Sequence, residues 1–338
     1  MQEVLVTGAG GYIGTTLVPL LLESGYRVRA FDRLFFGREL LPAHPNLWII
    51  QDDARRLSER HIEGCDFVID LVAISNDPSG EEFRDQTYAI NHQARVLTAA
   101  MAKKVGVKRY ILPSSCSIYG FQEPGVFADE GTKTNPLTTY AKANEMAERG
   151  VLELAGANFT VVVLRQATVY GYSPRMRFDL AINGMTYGAW KTGVLPLMRD
   201  GSQWRPMVHV KDTARAQIFM LSADPSKING QIFNVGSKEN NYQLGPLAEI
   251  VKRTVPREVA IEWYGDPDHR SYCVSFDKVN ALGFHALYVA EDGVRELCEA
   301  LSSGKTDRTK ATLTLEWYKE LIAWNERIKQ VALDGVIL

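Results

Sequence analysis

The stretch Val4-Leu5-Val6-Thr7-Gly8-Ala9-Gly10-Gly11-Tyr12-Ile13-Gly14 runs from an apolar strand pattern into a glycine-punctuated turn and then into a helical pattern beginning near Thr15. Glycines at positions 8, 11 and 14 allow a tight turn and a close backbone approach to a pyrophosphate, which the positive end of the following helix attracts. An ordinary strand-to-helix turn can use the same residues. The context separates the two readings: the next strand ends at Asp32, 24 positions after Gly8 (32 − 8), where a carboxylate accepts hydrogen bonds from adenosine ribose hydroxyls. A 2′-phosphate there meets repulsion, so NAD is expected rather than NADP, with the adjacent Arg33 either softening that preference or lying on the surface. Asp53 and Ala54 follow the third strand, and Leu71, Val72 and Ala73 follow the fourth. Each group reads as a cofactor contact or as loop packing, and Tyr12, Ile13 and Asn91 are counted with the cofactor residues.

Outward from this turn, short apolar runs alternate with helical periodicity. The runs are Val4 to Val6, Arg27 to Phe31, Leu47 to Ile50, Phe67 to Leu71, Tyr110 to Leu112 and Phe159 to Leu164; the helices are expected over Thr15 to Ser24, Tyr88 to Lys104 and Thr139 to Ala155. Repeated βα units of this kind predict an α/β fold, a doubly wound parallel Rossmann sheet with helices on both faces. After Gly171 the pattern becomes Gly- and Arg-punctuated, and Ile232-Phe233-Asn234-Val235 reads as one more strand. The expected division is a dinucleotide-binding domain over 1–171 with a returning segment near 206–236, and a smaller, discontinuous substrate domain over 172–205 and 237–338.

The composition is that of an ordinary globular chain: 338 residues, 46% hydrophobic, 23% charged and a formal charge of −2. That charge offers no long-range attraction to nucleic acid or to an anionic membrane, so neither partner is expected. Four scattered cysteines, Cys65, Cys116, Cys273 and Cys298, argue for a reducing compartment, and the six histidines form no metal-ligand pattern. With no apolar stretch approaching membrane-spanning length, a cytoplasmic location is expected.

Further segments follow in order: Ser114-Ser115-Cys116-Ser117-Ile118-Tyr119-Gly120, Asn135-Pro136-Leu137-Thr138-Thr139-Tyr140-Ala141-Lys142, Leu164 to Gly171, Arg205 to Asp212, Phe233 to Gly236 and Arg270 to Phe276. With the glycine turn, these make the chain resemble the extended short-chain dehydrogenase/reductase family, in its nucleotide-sugar epimerase and dehydratase branch. The resemblance implies that Tyr140 is the catalytic acid/base and that Ser115 hydrogen-bonds the same substrate oxygen. It implies a nucleotide-diphosphate sugar gripped by Arg205 and Arg270, with Arg175, Arg177, Asn183, Ser117 and Thr168 near the same cleft. It also implies a homodimer through the helices Tyr88 to Lys104 and Thr139 to Ala155.

Two departures stand out against that resemblance. The family's lysine, one helical turn after the tyrosine, is Asn144 here. Lys142 lies about 200° round the helix and points away. A tyrosine with an ordinary pKa of about 10 serves as a base only if positive charge stabilises its phenolate. Asn144 is expected to reach the nicotinamide ribose. The acidic pair of the dehydratases is Cys116-Ser117, and Cys116 reads either as a proton donor or as a buried, inert thiol. The expected activity is epimerisation at C4 through a transient 4-keto sugar. Dehydration, 4-ketoreduction and a catalytically weakened NAD-binding regulator are the alternatives.

Overall fold

A computed structural model describes residues 1–123, 125–266 and 271–336. The chain opens with β1 (Glu3–Thr7), α1 (Gly14–Glu23), β2 (Arg27–Asp32), β3 (Leu47–Gln51) and β4 (Phe67–Asp70). It continues through α2 (Arg95–Lys104), β5 (Arg109–Ser115), α3 (Thr139–Leu152) and β6 (Thr160–Gln166). Next come β7 (Thr168–Tyr170), α4 (Ala181–Thr192), β8 (Trp204–His209), α5 (Val210–Ser222), β9 (Gln231–Val235) and β10 (Asn241–Gln243). The helices α6 (Leu244–Thr254), α7 (Ala290–Ser302) and α8 (Thr314–Val331) lie in the last third.

Seven strands form one sheet in the order β9-β6-β5-β4-β1-β2-β3, and every pairing in it is parallel. Side chains of successive strand residues alternate between faces, which sorts the apolar runs into two cores. Val4 and Val6 of β1, Ile111 of β5, and Val162 and Leu164 of β6 pack on one face with Leu17 and Leu21 of α1 and Met220 of α5. Leu5, Tyr110, Leu112, Val161 and Val163 take the other face with Ala99 and Ala102 of α2 and Ala147 and Val151 of α3. At about 1.5–3 kcal/mol for each large aliphatic side chain buried, these two layers are the main source of cohesion.

The expected helix over Tyr88 to Lys104 is two elements, a π-helical segment Tyr88–Ala94 followed by α2. Helix α3 starts at Thr139 because Thr138 is extended and its hydroxyl accepts a hydrogen bond from the Ala141 amide at 3.2 Å. A second layer lies over the carboxyl ends of the strands. There β8 pairs parallel with β7 and antiparallel with β10, and Tyr170, Ile182, Met207, Leu247 and Val294 share a separate apolar cluster.

His209, at the end of β8, joins these layers. It is buried, stacks on Tyr288 with ring centroids 4.5 Å apart, and pairs through Nε2 with Glu296 of α7 at 3.0 Å. Burial alone raises the Glu296 carboxyl, but hydrogen bonds from His209 and Lys211 overcome that and hold it down at about 2, against an ordinary 4.5. A carboxyl depressed in the folded state stabilises the fold above its unfolded pKa and loses that contribution as pH falls through the folded value. Wild type and Glu296→Gln are therefore expected to differ most in urea midpoint near neutrality and to converge between about pH 4.5 and pH 2. Denaturation series across that window measure it, and a gap independent of pH would refute the pairing.

Candidate active site

β1 and β4 are sheet neighbours whose helical connections run to opposite sides, so a crevice opens at their carboxyl ends. The glycine turn sits in it. Gly8 has φ +67°, and a Cβ there would lie 2.7 Å from Leu71 C and Val72 N. A Cβ on Gly14 would meet Ala9 O at 2.4 Å. Helix α1 starts without a side-chain cap; the Thr15 and Thr16 amides donate to Gly11 O and Ile13 O at 2.9 and 3.1 Å, which leaves the Gly14 amide ahead of them for an anion. Asp32 accepts hydrogen bonds from the Gly10 and Leu34 amides at 3.1 and 2.6 Å, which fix the carboxylate beside the turn. Burial raises its pKa, and those two amides counter the rise.

A cleft of about 1400 Å³ extends from this turn, ample for a dinucleotide and a second ligand. Gly8, Gly11, Tyr12, Ile13, Gly14, Asp32, Arg33, Asp53, Ala54, Leu71, Val72 and Ala73 all line it, as do Ser115, Ser117, Tyr140, Thr168, Arg175, Arg177 and Arg205. Asp53 presents a carboxylate already clasped by Arg33 at 2.6 Å and Arg55 at 2.5 Å. Hydrogen bonds from Arg55 hold it well below the usual carboxylate range.

At the reaction centre, β5 delivers Ser115 and the first turn of α3 delivers Tyr140. The Ser115 hydroxyl accepts from the Ser117 amide at 3.1 Å. The Ser117 hydroxyl is buried, without a partner, on the cleft wall. Tyr140 is packed by the helix Asp77–Glu82, where a Cβ on Gly80 would come within 3.1 Å of the tyrosine Cβ. Burial raises the phenol pKa. The charge of Arg95 opposes this most, Asp77 adds to the rise, and Ser115 and Arg177 lower it further.

Four expectations are corrected. Cys116 is fully buried, its Sγ donating to Arg165 O at 3.2 Å, and burial drives the thiol far above its ordinary value, so it is no proton donor to the cleft. Asn144 does not face the cofactor cleft: it is 1% exposed, its Nδ2 donates to Tyr140 O at 2.9 Å and its Oδ1 accepts from Arg95 Nη1 at 3.0 Å. Asn91 spends its amide on the Ile74 backbone, at 2.8 and 2.9 Å, and so holds the loop after β4 instead of touching a ligand. Asn183 is fully buried and bonded to Gly171 N, Tyr12 Oη and Arg177 O, a brace for the segment after β7. Arg175 and Arg177 line the cleft with Arg205, as expected, but Arg177 is already engaged within the protein. The Arg177 fork is occupied by Asp179 at 3.1 and 2.7 Å. Arg175 bonds Thr314 at 3.0 Å, covers the Phe36 ring at 3.7 Å and leaves buried Nε and Nη1 without partners. Burial pushes Arg175 down to about 10, with Arg177 adding to the effect. Arg205 donates to Trp204 O at 2.9 Å and lies over the Tyr272 ring at 5.8 Å. Arg270 lies outside the described residues.

The sequence reading missed the part of the cleft wall that α8 supplies. Tyr318 of α8 packs its ring on Phe35, Phe36 and Phe83, with centroids 6.0, 6.1 and 6.3 Å away, and Trp317 Nε1 donates to Phe35 O at 2.6 Å. Tyr318, Leu321, Ile322 and Asn325, at i, i+3, i+4 and i+7, line the cleft. That spacing was visible, but where the helix docks was not. Arg95 was also missed, although a lone charge on the inner face of an amphipathic helix is itself a signal.

Fold and cleft are those of a dinucleotide-binding Rossmann protein with Ser115 and Tyr140 lining the cleft. The family model described as "NAD dependent epimerase/dehydratase family" matches residues 4–236, and the chain belongs to that family. Its cofactor is NAD, and the uncapped α1, the glycine approach, the Asp32 acceptor and the buried unpartnered nitrogens of Arg175 fit that molecule. UDP-arabinose 4-epimerase 1 of Arabidopsis thaliana is 29% identical over 298 residues, covering 78% of this chain and 70% of the relative. A 3 beta-hydroxysteroid dehydrogenase/Delta 5-->4-isomerase of Mycobacterium tuberculosis is 30% identical over 274 residues, covering 76% and 71%. MoeE5, solved with UDP-glucuronic acid and NAD, superposes with a TM-score of 0.78 at 26% identity, covering 89% of this chain and 99% of MoeE5. No helix among the described residues is long and apolar enough to cross a membrane.

Gly8→Ala is expected to abolish NAD binding, since the added methyl needs both a disfavoured φ and the space held by the Leu71–Val72 backbone. Isothermal titration with NAD on a folded variant measures this, and wild-type affinity would refute the close approach.

Proposed function

We propose that the protein is an NAD-dependent epimerase of nucleotide-diphosphate sugars, acting at C4. The observation that supports this reading is that Ser115 and Tyr140 line one cleft together with the glycine turn and Arg205. Arg205 presents a guanidinium suited to phosphate oxygens, and Arg270 is assigned the same task from the sequence. Ser117 and Thr168 offer hydroxyls to the sugar.

When bound, NAD supplies the hydride acceptor and later the donor. Tyr140, as phenolate, takes the proton from the C4 hydroxyl while the C4–H bond breaks and the C4–O bond gains its second order. Ser115 holds the same oxygen in line. After the 4-keto ring turns its other face, Tyr140 returns the proton to oxygen and the C4–H bond re-forms with inverted configuration. Redox balance closes within the cycle, so no external reductant is consumed. The buried Cys116 thiol and the absence of a carboxylate at 116 and 117 weigh against dehydration, which needs an acid and a base there. A homodimer through α2 and α3 accords with Leu97 and Met146, 61% and 40% exposed on those helices.

Incubation with UDP-glucuronic acid, UDP-glucose and UDP-arabinose is expected to yield the C4 diastereomer by NMR, with no lasting build-up of reduced nicotinamide absorbance. Tyr140→Phe is expected to slow conversion by roughly 10²–10⁴-fold. Stoichiometric reduced cofactor with a ketone product would assign a dehydrogenase instead, and no conversion by the NAD-loaded protein would remove the epimerase reading.

A further inference from the structure

Arg95 is among the largest fully buried side chains, 1% exposed at the start of α2. Its Nη1 donates to Asn144 Oδ1 at 3.0 Å, and its Nη2 donates to Asp70 O at 2.8 Å and to Pro113 O. All three acceptors are neutral carbonyl oxygens, and among the described residues no carboxylate lies within ion-pair distance of this guanidinium. A buried charge without a direct counter-ion is costly, and a strut alone does not require one. What the charge is next to explains it. Asn144 sits one helical turn after Tyr140 and donates back to the Tyr140 carbonyl at 2.9 Å, so Arg95, Asn144 and Tyr140 form one bonded chain behind the reaction centre.

We propose that Arg95 supplies, from the neighbouring helix, the positive charge that the reaction centre needs, with Asn144 acting as the neutral tether that aims it at the back of Tyr140. This rests on the assignment of Tyr140 as the acid/base. Arg95 is then a positioning residue. It touches neither ligand but biases the proton on the phenol. Among the groups that oppose the effect of burial on that phenol, Arg95 acts most strongly. The other charges facing the phenol are Asp77, from the helix Asp77–Glu82, which works against the phenolate, and Arg177, from the segment after β7, which favours it. Around Arg95 itself stand the Asp70 carboxylate, hydrogen-bonded by Thr7 and Tyr110, and the Tyr110 phenol, whose hydroxyl also donates to Arg95 O at 3.0 Å. Glu148, further along α3, is taken up by Arg165 at 2.8 Å and by Ser114.

The arrangement also explains why a lysine at 144 is not interchangeable with the asparagine. An ammonium there would meet the Arg95 guanidinium at the present hydrogen-bond contact, two like charges with no carboxylate between them. The two positions can exchange the charge only together.

The test reads the Tyr140 phenol directly, by NMR titration of ¹³Cζ-labelled tyrosine in the NAD-loaded protein, with the signal assigned by Tyr140→Phe. Arg95→Gln is expected to raise the Tyr140 midpoint by about one pH unit or more, leaving roughly tenfold less phenolate at a given pH below it. Arg95→Lys is expected to stay near wild type. Asn144→Lys alone is expected to melt at lower temperature, and Arg95→Gln with Asn144→Lys to bring the midpoint back toward wild type. An unmoved midpoint in a folded Arg95→Gln protein, or an Arg95→Lys midpoint as high as that of Arg95→Gln, overturns the assignment and leaves Arg95 a strut. Should Arg95→Gln not fold, the double variant decides, since a midpoint about one unit above wild type there refutes the exchange. Turnover is a separate readout. A shifted midpoint in a protein that converts no sugar removes the epimerase reading and keeps the charge assignment, whereas active enzyme with an unmoved midpoint does the reverse.

Discussion

The whole site hangs on one close approach, the Gly8 backbone against the Leu71–Val72 peptide at 2.7 Å from where a Cβ would stand. β1 and β4 are parallel neighbours, and their connections leave in opposite directions; only a residue without a side chain lets the two turns pass each other at this point. Because they pass, the uncapped start of α1 lies at an open crevice and Asp32 is brought beside the turn. Because the crevice lies at the carboxyl ends, β5 ends there too, and Ser115 enters the cleft with no special device beyond the length of the strand. The second layer, locked by His209 and Glu296, adds Arg205 to the lining of the same cleft.

Charge around the cleft is nearly all committed within the protein. Asp53 holds Arg33 and Arg55, and Asp179 holds Arg177. Arg175 differs, with two buried nitrogens unpartnered beside the uncapped α1. In a chain of net charge −2, an anionic ligand cannot be drawn in from afar, so its phosphates are recognised by local donors that the fold has already desolvated. Arg175 has that character at the cofactor end.

The sheet was legible because each of its strands is an apolar run alternating faces, and the order of motifs located the cleft. Every cofactor-turn residue read from the glycine pattern lines it. What failed were polar residues assigned by type. Asn91, Asn144 and Asn183 each carry both a donor and an acceptor, and in a buried setting those are consumed by neighbouring backbone groups and, at Asn144 and Asn183, also by the Arg95 and Tyr12 side chains. Cys116 failed because it opens the 3-10 turn that follows β5 and its thiol is buried there against Arg165 O, while Ser115 and Ser117 line the cleft. The α8 cover was illegible for a different reason: periodicity reports that a helix has an apolar face, and only tertiary packing decides which surface it meets. Arg95 was readable in principle. Asn91, Ala94, Thr98, Ala99 and Ala102 form its buried face, and a guanidinium in that stripe has to be explained by something it serves.

The choice of arginine for that buried charge has its own chemistry. A lysine ammonium sheds its proton readily when desolvated, so its charge depends on exposure to the cleft or on a ligand's polar groups. A guanidinium keeps its charge through burial and spreads it over a planar fork, which here reaches Asn144, Asp70 O and Pro113 O at once. Those acceptors belong to α3, β4 and β5, the three elements that carry Tyr140, the cofactor loop and Ser115. A charge so anchored cannot swing toward an incoming ligand. With the charge on Arg95 and none on Asn144, the field on the phenol is set by the fold itself, before any substrate arrives.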